Sequence, residues 1–242
     1  MASSENGGRM TVVEHLTELR TRLIISMIAI TLGAIVCFIF SASIIKFFVQ
    51  YYKDATHGQK TSLIFLGPLD AFITRIKVAT YGGIVLALPV WLWELWRFIT
   101  PGLNPKEKRY AVPFILTSIV LFAFGGLVAL LTLPQALEFL LTIGGNQLQP
   151  QLTADKYLSL VSLMIVAFGV AFEFPVVLVF LLLARVISTR QLRRWRRPAI
   201  LVIVIFAAVI TPSQDPYSLF AMAIPMYIFY EASIIIGRVL KR

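Results

Sequence analysis

Six stretches of the chain are apolar almost throughout, and polar or basic residues separate them. They run at about 23–40, 72–98, 111–133, 157–184, 199–210 and 217–237. At 1.5 Å per residue the fourth makes a helix of about 42 Å, enough to cross a hydrocarbon core of about 30 Å with tilt. The pattern predicts an all-α membrane protein with six spans in one bundle. Ahead of the first span, Val12, Leu16, Leu19 and Leu23 recur at helical spacing, while Glu14, Glu18 and Arg22 line another face. That predicts an amphipathic helix over 10–22, lying on the membrane surface and running into the first span. Residues 1–9 read as a disordered lead-in to a single domain over 10–242, with Met10 a second candidate start.

Prolines and turn residues break the spans. Residues 41–70 read as a mixed loop whose aromatics, in KFFVQYYKD, can pack on the bundle. Pro89 predicts a kink in the second span, and Trp91, Trp93 and Trp96 mark its end as an aromatic belt. The third span is expected to stop before Pro134, with a loop to about 155. The fifth has only twelve apolar residues, about 18 Å of helix. With the turn TPSQDP and the sixth span it reads as an antiparallel pair whose turn is drawn into the outer half of the bilayer. No small-residue cleavage site follows the first span, which reads as a retained helix.

Composition sharpens this picture. The chain is 58% hydrophobic and 14% charged, with a mean hydropathy of +0.83, which leaves no room for a soluble catalytic domain. A net charge of +10 suggests nucleic acid in a soluble protein. Here the basic residues sit between spans, so anionic headgroups and topology account for them better. Sixteen of the 22 lysines and arginines fall on one side, and the positive-inside rule then places both ends in the cytoplasm. Cys37 is alone, inside a span, and forms no disulfide framework.

Candidate chemistry is sparse. The sequence has no P-loop, HExxH, GxSxG or CxxC, and His15 and His57 fall on opposite sides of the expected membrane. No enzyme, metal site or cofactor is expected, so energy for transport must come from a gradient or a partner. Glu173 lies in the middle of the fourth span, at a cost of roughly 2.5–3.5 kcal/mol. Pro175 frees the carbonyl of Ala171 beside it, and the resulting polar notch faces a partner, a wet cavity or a neighbouring helix. Acids on the basic side are few: Glu5, Glu14, Glu18 and Glu107, with Glu94 near the interface. One or two ordered carboxylates in so basic a field can select a ligand with a defined cationic pair. Equally, Glu107 fits a solvated loop charge, and Glu18 with Arg22 is an ordinary i,i+4 pair.

Several stretches together carry a resemblance. HLTELRTRL (15–23), WRFITPGLNPKEKR (96–109), AFGVAFEFPVVL (167–178), TPSQDP (211–216) and AIPMYIFYE (223–231) resemble the TatC family, the multi-spanning receptor subunit of the twin-arginine protein translocase. The resemblance implies a glove-shaped six-helix bundle with a concave face in the bacterial cytoplasmic membrane. It implies that folded cargo carrying a twin-arginine signal is received at the cytoplasmic face and exported on the proton motive force. By position, Glu18 and Glu107 match the acids that receive the two signal arginines, with Leu19, Arg20, Phe98, Pro101 and Leu103 on the same surface. Glu173 matches the family's intramembrane glutamate, and with Thr211 and Asp215 of the outer turn it makes up an implied set of intramembrane polar, partner-binding residues. Implied partners are single-span TatA/TatB-type subunits, membrane lipid and further copies of the chain.

The chain departs from the family pattern at two places. Leu219 stands where the family often has glutamine, and the first outer loop lacks a usual proline. The rival reading is a proton-coupled secondary transporter of a small solute with Glu173 as proton carrier. It calls for internal repeats, and no self-similar halves are visible.

Overall fold

The computed structural model describes residues 12–55, 63–99, 111–145 and 152–239. They form ten helices: α1 (Val12–Ile39), α2 (Ser41–Ala55), α3 (Asp70–Leu86), α4 (Leu88–Ile99), α5 (Ala111–Thr142), α6 (Ala154–Ala171), α7 (Phe174–Leu183), α8 (Thr189–Arg194), α9 (Arg196–Ile210) and α10 (Pro216–Val239). A parallel bridge between Ile64 and Thr153 ties the segment before α3 to the start of α6. The lead-in 1–9 lies outside the described residues.

Four units are long and apolar enough to cross a bilayer: α1, α5, α6 continuing through α7, and α10. The pair α3–α4 is a fifth, bent by 54°. The break falls at Ala87, just ahead of Pro89, which has no N–H to return to the preceding turn. The expected kink is there. The remaining expected segment, the fifth, is α9, whose 15 residues make about 22 Å of helix, short of a full span.

Three expectations need correction. Helix α5 does not stop at Pro134 but runs through it to Thr142. The missing proline N–H leaves the Leu130 carbonyl without its helical donor, and the Tyr51 hydroxyl of α2 supplies one at 2.5 Å. Residues 41–55 are not loop but the helix α2. As expected, its aromatics seat it on the bundle: Tyr52 is buried with its ring 4.9 Å from that of Tyr157, whose hydroxyl donates to the Phe48 carbonyl at 2.8 Å. Finally, α1 is one unbroken helix, and its N-terminal turns do not form a separate surface helix. Leu16 and Leu23 face outward, 59% and 54% exposed, while Glu18 and Arg22 turn inward. In lipid an apolar stripe is content on the outside, and it is the polar face that needs protein partners.

The bundle closes through small residues, as expected where lipid competes equally well for apolar side chains. A Cβ on Gly83 of α3 would lie 2.5 Å from the backbone nitrogen of Ala34 in α1. A Cβ on Gly125 of α5 would lie 2.5 Å from the carbonyl oxygen of Phe168 in α6. Helices α6 and α7 occupy the centre, where Tyr157, Phe168, Phe172 and Leu182 are fully buried with Met222 and Ile234 of α10. Ion pairs also tie separate helices: among them, Lys77–Asp155 at 2.8 Å joins α3 to α6, and Arg196–Glu231 at 2.6 Å joins α9 to α10.

Candidate functional site

At the basic end of the bundle, one face of α1 meets one face of α4. His15, Glu18 and Arg22 are spaced i, i+3, i+7 on α1, and Glu94 and Phe98 are spaced i, i+4 on α4, so each set lines one side of its helix. The His15 and Phe98 rings stack 4.4 Å apart at 13°. About two turns deeper along α1, Arg22 bridges two carboxylates: Nη1 to Glu94 Oε2 at 2.8 Å and Nη2 to Glu18 Oε1 at 3.2 Å. The expected i,i+4 pair is therefore present, but as part of a triad. Glu18 Oε2 is buried and has no hydrogen-bond partner. Leu19 is half-buried beside it, whereas Arg20 is exposed, about 200° around the helix from Glu18. Glu107, Pro101 and Leu103 lie outside the described residues.

Helix α4 also forms a wall of a second feature. Trp91, Leu95 and Trp96 line a cavity of about 400 Å³ with Phe114 and Ser118 of α5 and Phe174, Val177 and Phe180 of α7. Glu173 opens into it from the two-residue break between α6 and α7, where Pro175 interrupts the helical bonding. Its Oε1 has no hydrogen-bond partner. The expected notch is thus a cavity lined by α4, α5, α6 and α7, with Phe206 of α9. Of the three tryptophans, Trp93 alone faces outward; Trp91 Nε1 donates to the Ile84 carbonyl at 3.1 Å, and Trp96 stacks on Phe114 at 4.9 Å.

The turn at the opposite end is built from buried polar groups. Asp215 Oδ1 accepts from the Ser218 backbone N–H at 2.8 Å and so caps α10, with Pro216 as its first residue. The Thr211 hydroxyl donates to the Ala207 carbonyl. Both side chains are 1% exposed, so in this structure they shape the turn and offer no outward contact. Leu219 packs against the core. Among the described residues no three His, Cys, Asp or Glu side chains come together as metal ligands.

Residues 14–225 match the family described as Sec-independent protein translocase protein, TatC. This chain belongs to the TatC family. The TatC protein of Frankia casuarinae is 43% identical over 239 residues, which is 95% of this chain but 66% of that protein. Those of Carboxydothermus hydrogenoformans and Aquifex aeolicus are 38% and 40% identical, with 94% and 97% of their lengths covered. A crystal structure of the twin arginine translocase receptor TatC superposes with a TM-score of 0.78 at 40% identity, over 95% of this chain and all of that one. The all-helical architecture is therefore that of TatC, a translocase component of the bacterial inner membrane, and its work is transport, not catalysis.

Placed on this TatC chain, the residues named from sequence separate into three groups. Glu18, Leu19 and Phe98 come together at the α1–α4 contact, Glu173 lies deeper against the same α4, and Thr211 with Asp215 sit at the far turn. Glu94 and His15 belong to the first group; the sequence placed Glu94 among the acids near the basic interface without a role, and gave His15 none. The signal was available: Trp91, Glu94 and Phe98 share one face of α4, as His15, Glu18 and Arg22 share one of α1. What sequence could not supply was that these two faces meet.

Proposed function

We propose that the basic end of this TatC chain faces the cytoplasm and receives the twin-arginine motif of signal peptides on folded cargo. Glu18 and Glu107 each take one guanidinium, while Phe98, Leu19, Pro101, Leu103 and Arg20 belong to the surrounding recognition surface. The observation that carries this reading is the Glu18 carboxylate, fixed by Arg22 while its Oε2 lacks a donor. An acceptor left unfilled in a buried position costs about 1–3 kcal/mol, and an arriving guanidinium fork recovers it. A photo-crosslinker placed at position 19, which leaves the Glu18 carboxylate in place, is expected to capture a twin-arginine peptide and to lose that capture when the two arginines are replaced by alanine. Capture that ignores the arginines would overturn the reading.

In the same reading the chain traverses the membrane six times, with α9 as a short fifth crossing that thins the bilayer locally. A cytoplasm-active reporter fused after Arg242 is then expected to be active; activity only outside the cytoplasm would mean five crossings.

The Glu173 cavity receives single-span TatA/TatB-type subunits, which assemble the proton-motive-force-driven path with lipid and with further copies of the chain. Thr211 and Asp215 contribute through the shape of the turn they hold. An ionised carboxylate at this depth is expensive, so the site needs hydrogen-bonding capacity more than charge. Glu173→Gln is expected to retain at least about a third of the transport rate, whereas Glu173→Leu loses partner assembly but keeps peptide binding. Transport assays and co-purification check this. Equal loss of transport in both variants would favour a titrating proton carrier.

A further inference from the structure

Glu94 is the most buried acid of the α1–α4 contact: its side chain is 7% exposed, against 16% for Glu18 and 18% for Arg22. It also makes the shorter bond to Arg22, 2.8 Å against 3.2 Å. A peptide arriving from the basic end therefore meets Glu18, and Glu94 stays behind Arg22. Without Glu94, Arg22 and Glu18 would form a closed i,i+4 pair of zero net charge, in which the chain's own arginine occupies the carboxylate that the ligand needs. With Glu94 present the triad carries a net charge of −1. Arg22 then keeps a partner when Glu18 turns to another cation, so the exchange leaves no guanidinium stranded in a half-buried place.

We propose that Glu94 is a positioning residue for the signal site: it holds Arg22 as an internal counter-ion, and so lets Glu18 exchange Arg22 for a guanidinium of the incoming peptide. The proposal rests on Glu18 receiving a signal arginine, and it adds a specificity device to that reading. Phe98, stacked on His15, braces α4 against α1 on the ligand side of the triad and keeps Glu94 in register with Arg22. Arginine is the suited ligand because its planar fork repeats the contact that it displaces.

The test uses the full chain in detergent micelles, a fluorescent twin-arginine peptide, and binding read by anisotropy alongside the melting temperature. Glu94→Gln keeps an acceptor for Arg22 but neutralises the triad, and the peptide is expected to bind about tenfold more weakly. Glu94→Asp keeps the charge and should bind within roughly twofold of native. The deciding variant is Glu94→Gln combined with Arg22→Gln, which restores a net charge of −1 on Glu18 alone. Recovery to within about threefold of native supports the counter-ion role, because a merely structural Glu94 predicts a double variant at least as weak as the single one. Should Glu94→Gln fail to fold, Arg22→Gln alone carries the test. It removes the competitor for Glu18 and is expected to tighten binding several-fold, and unchanged or weaker binding overturns the proposal. Native-strength binding by a folded Glu94→Gln, or a double variant as weak as the single, also overturns it. Glu18→Gln separates the two levels. If that variant binds normally, the receptor reading itself has failed; if it binds weakly while Glu94→Gln binds normally, only the counter-ion role has.

Discussion

Alanine at Glu18 or at Glu107 is expected to weaken a twin-arginine peptide roughly tenfold or more, and alanine at both to cost less than the two losses combined. In the proposed receptor site each contact would be a charge-assisted bond at a partly shielded interface, worth on the order of 1.5–3 kcal/mol. Adjacent arginines send their side chains in different directions, so two acids from separate segments suit them better than one. Glu18 stands on α1, and Glu107 belongs to the segment that joins α4 to α5. Once one contact is lost the peptide also loses its register, which is why the second loss is smaller. Lysine has a point charge in place of a planar fork, and a twin-lysine peptide is expected to bind poorly to the unaltered chain. Titration of the three variants with both peptides checks the assignment. If the double variant still prefers twin-arginine by the native ratio, neither residue reads the motif.

A single methyl group at Gly125 should cost far more than one at Gly126. A Cβ at Gly125 would come within 2.5 Å of the Phe168 carbonyl oxygen and 2.8 Å of its carbon, both backbone atoms of α6 that no rotamer change can move. At Gly126 the nearest atom is Ile165 Cγ2, 3.3 Å away at the tip of a side chain. Gly125→Ala therefore has to part α5 from α6 along a crossing at the centre of the bundle. Overpacking of this kind costs roughly 1–3 kcal/mol or more, which lowers the melting temperature of a chain of this size by about 2–12 °C. Gly126→Ala should stay within about 2 °C of native. Thermal unfolding in detergent gives both numbers, and equal shifts would mean that the α5–α6 approach is not as tight as these contacts require. Gly83→Ala, against Ala34 and Ile30 of α1, belongs with Gly125.

Length, apolar run and charge distribution by themselves determined most of the architecture. A chain in lipid must satisfy its backbone internally, so each apolar run of span length has to be a helix, and its ends are marked where lysine and arginine gather. The break before Pro89, the depth of Glu173 and the shortness of α9 follow from local composition in the same way. Pro134 shows where that reasoning ends. The residue is hostile to a helix, yet α5 passes through it because Tyr51, 79 positions before Leu130, caps the Leu130 carbonyl that the proline frees. Nothing near Pro134 in the chain announces that hydroxyl.

The α1–α4 site is the same case on a larger scale. Glu18 with Arg22 was visible as a local pair, but Glu94 lies 72 positions from Arg22 and joins them because the chain bends by 54° between α3 and α4 and brings the Glu94 side of α4 onto α1. Hydrophobic pattern could not choose the inward face of α1, because lipid receives leucine as readily as a protein core does. Close backbone approach at small residues and the need of buried charges for partners made that choice, and both are properties of the assembled bundle.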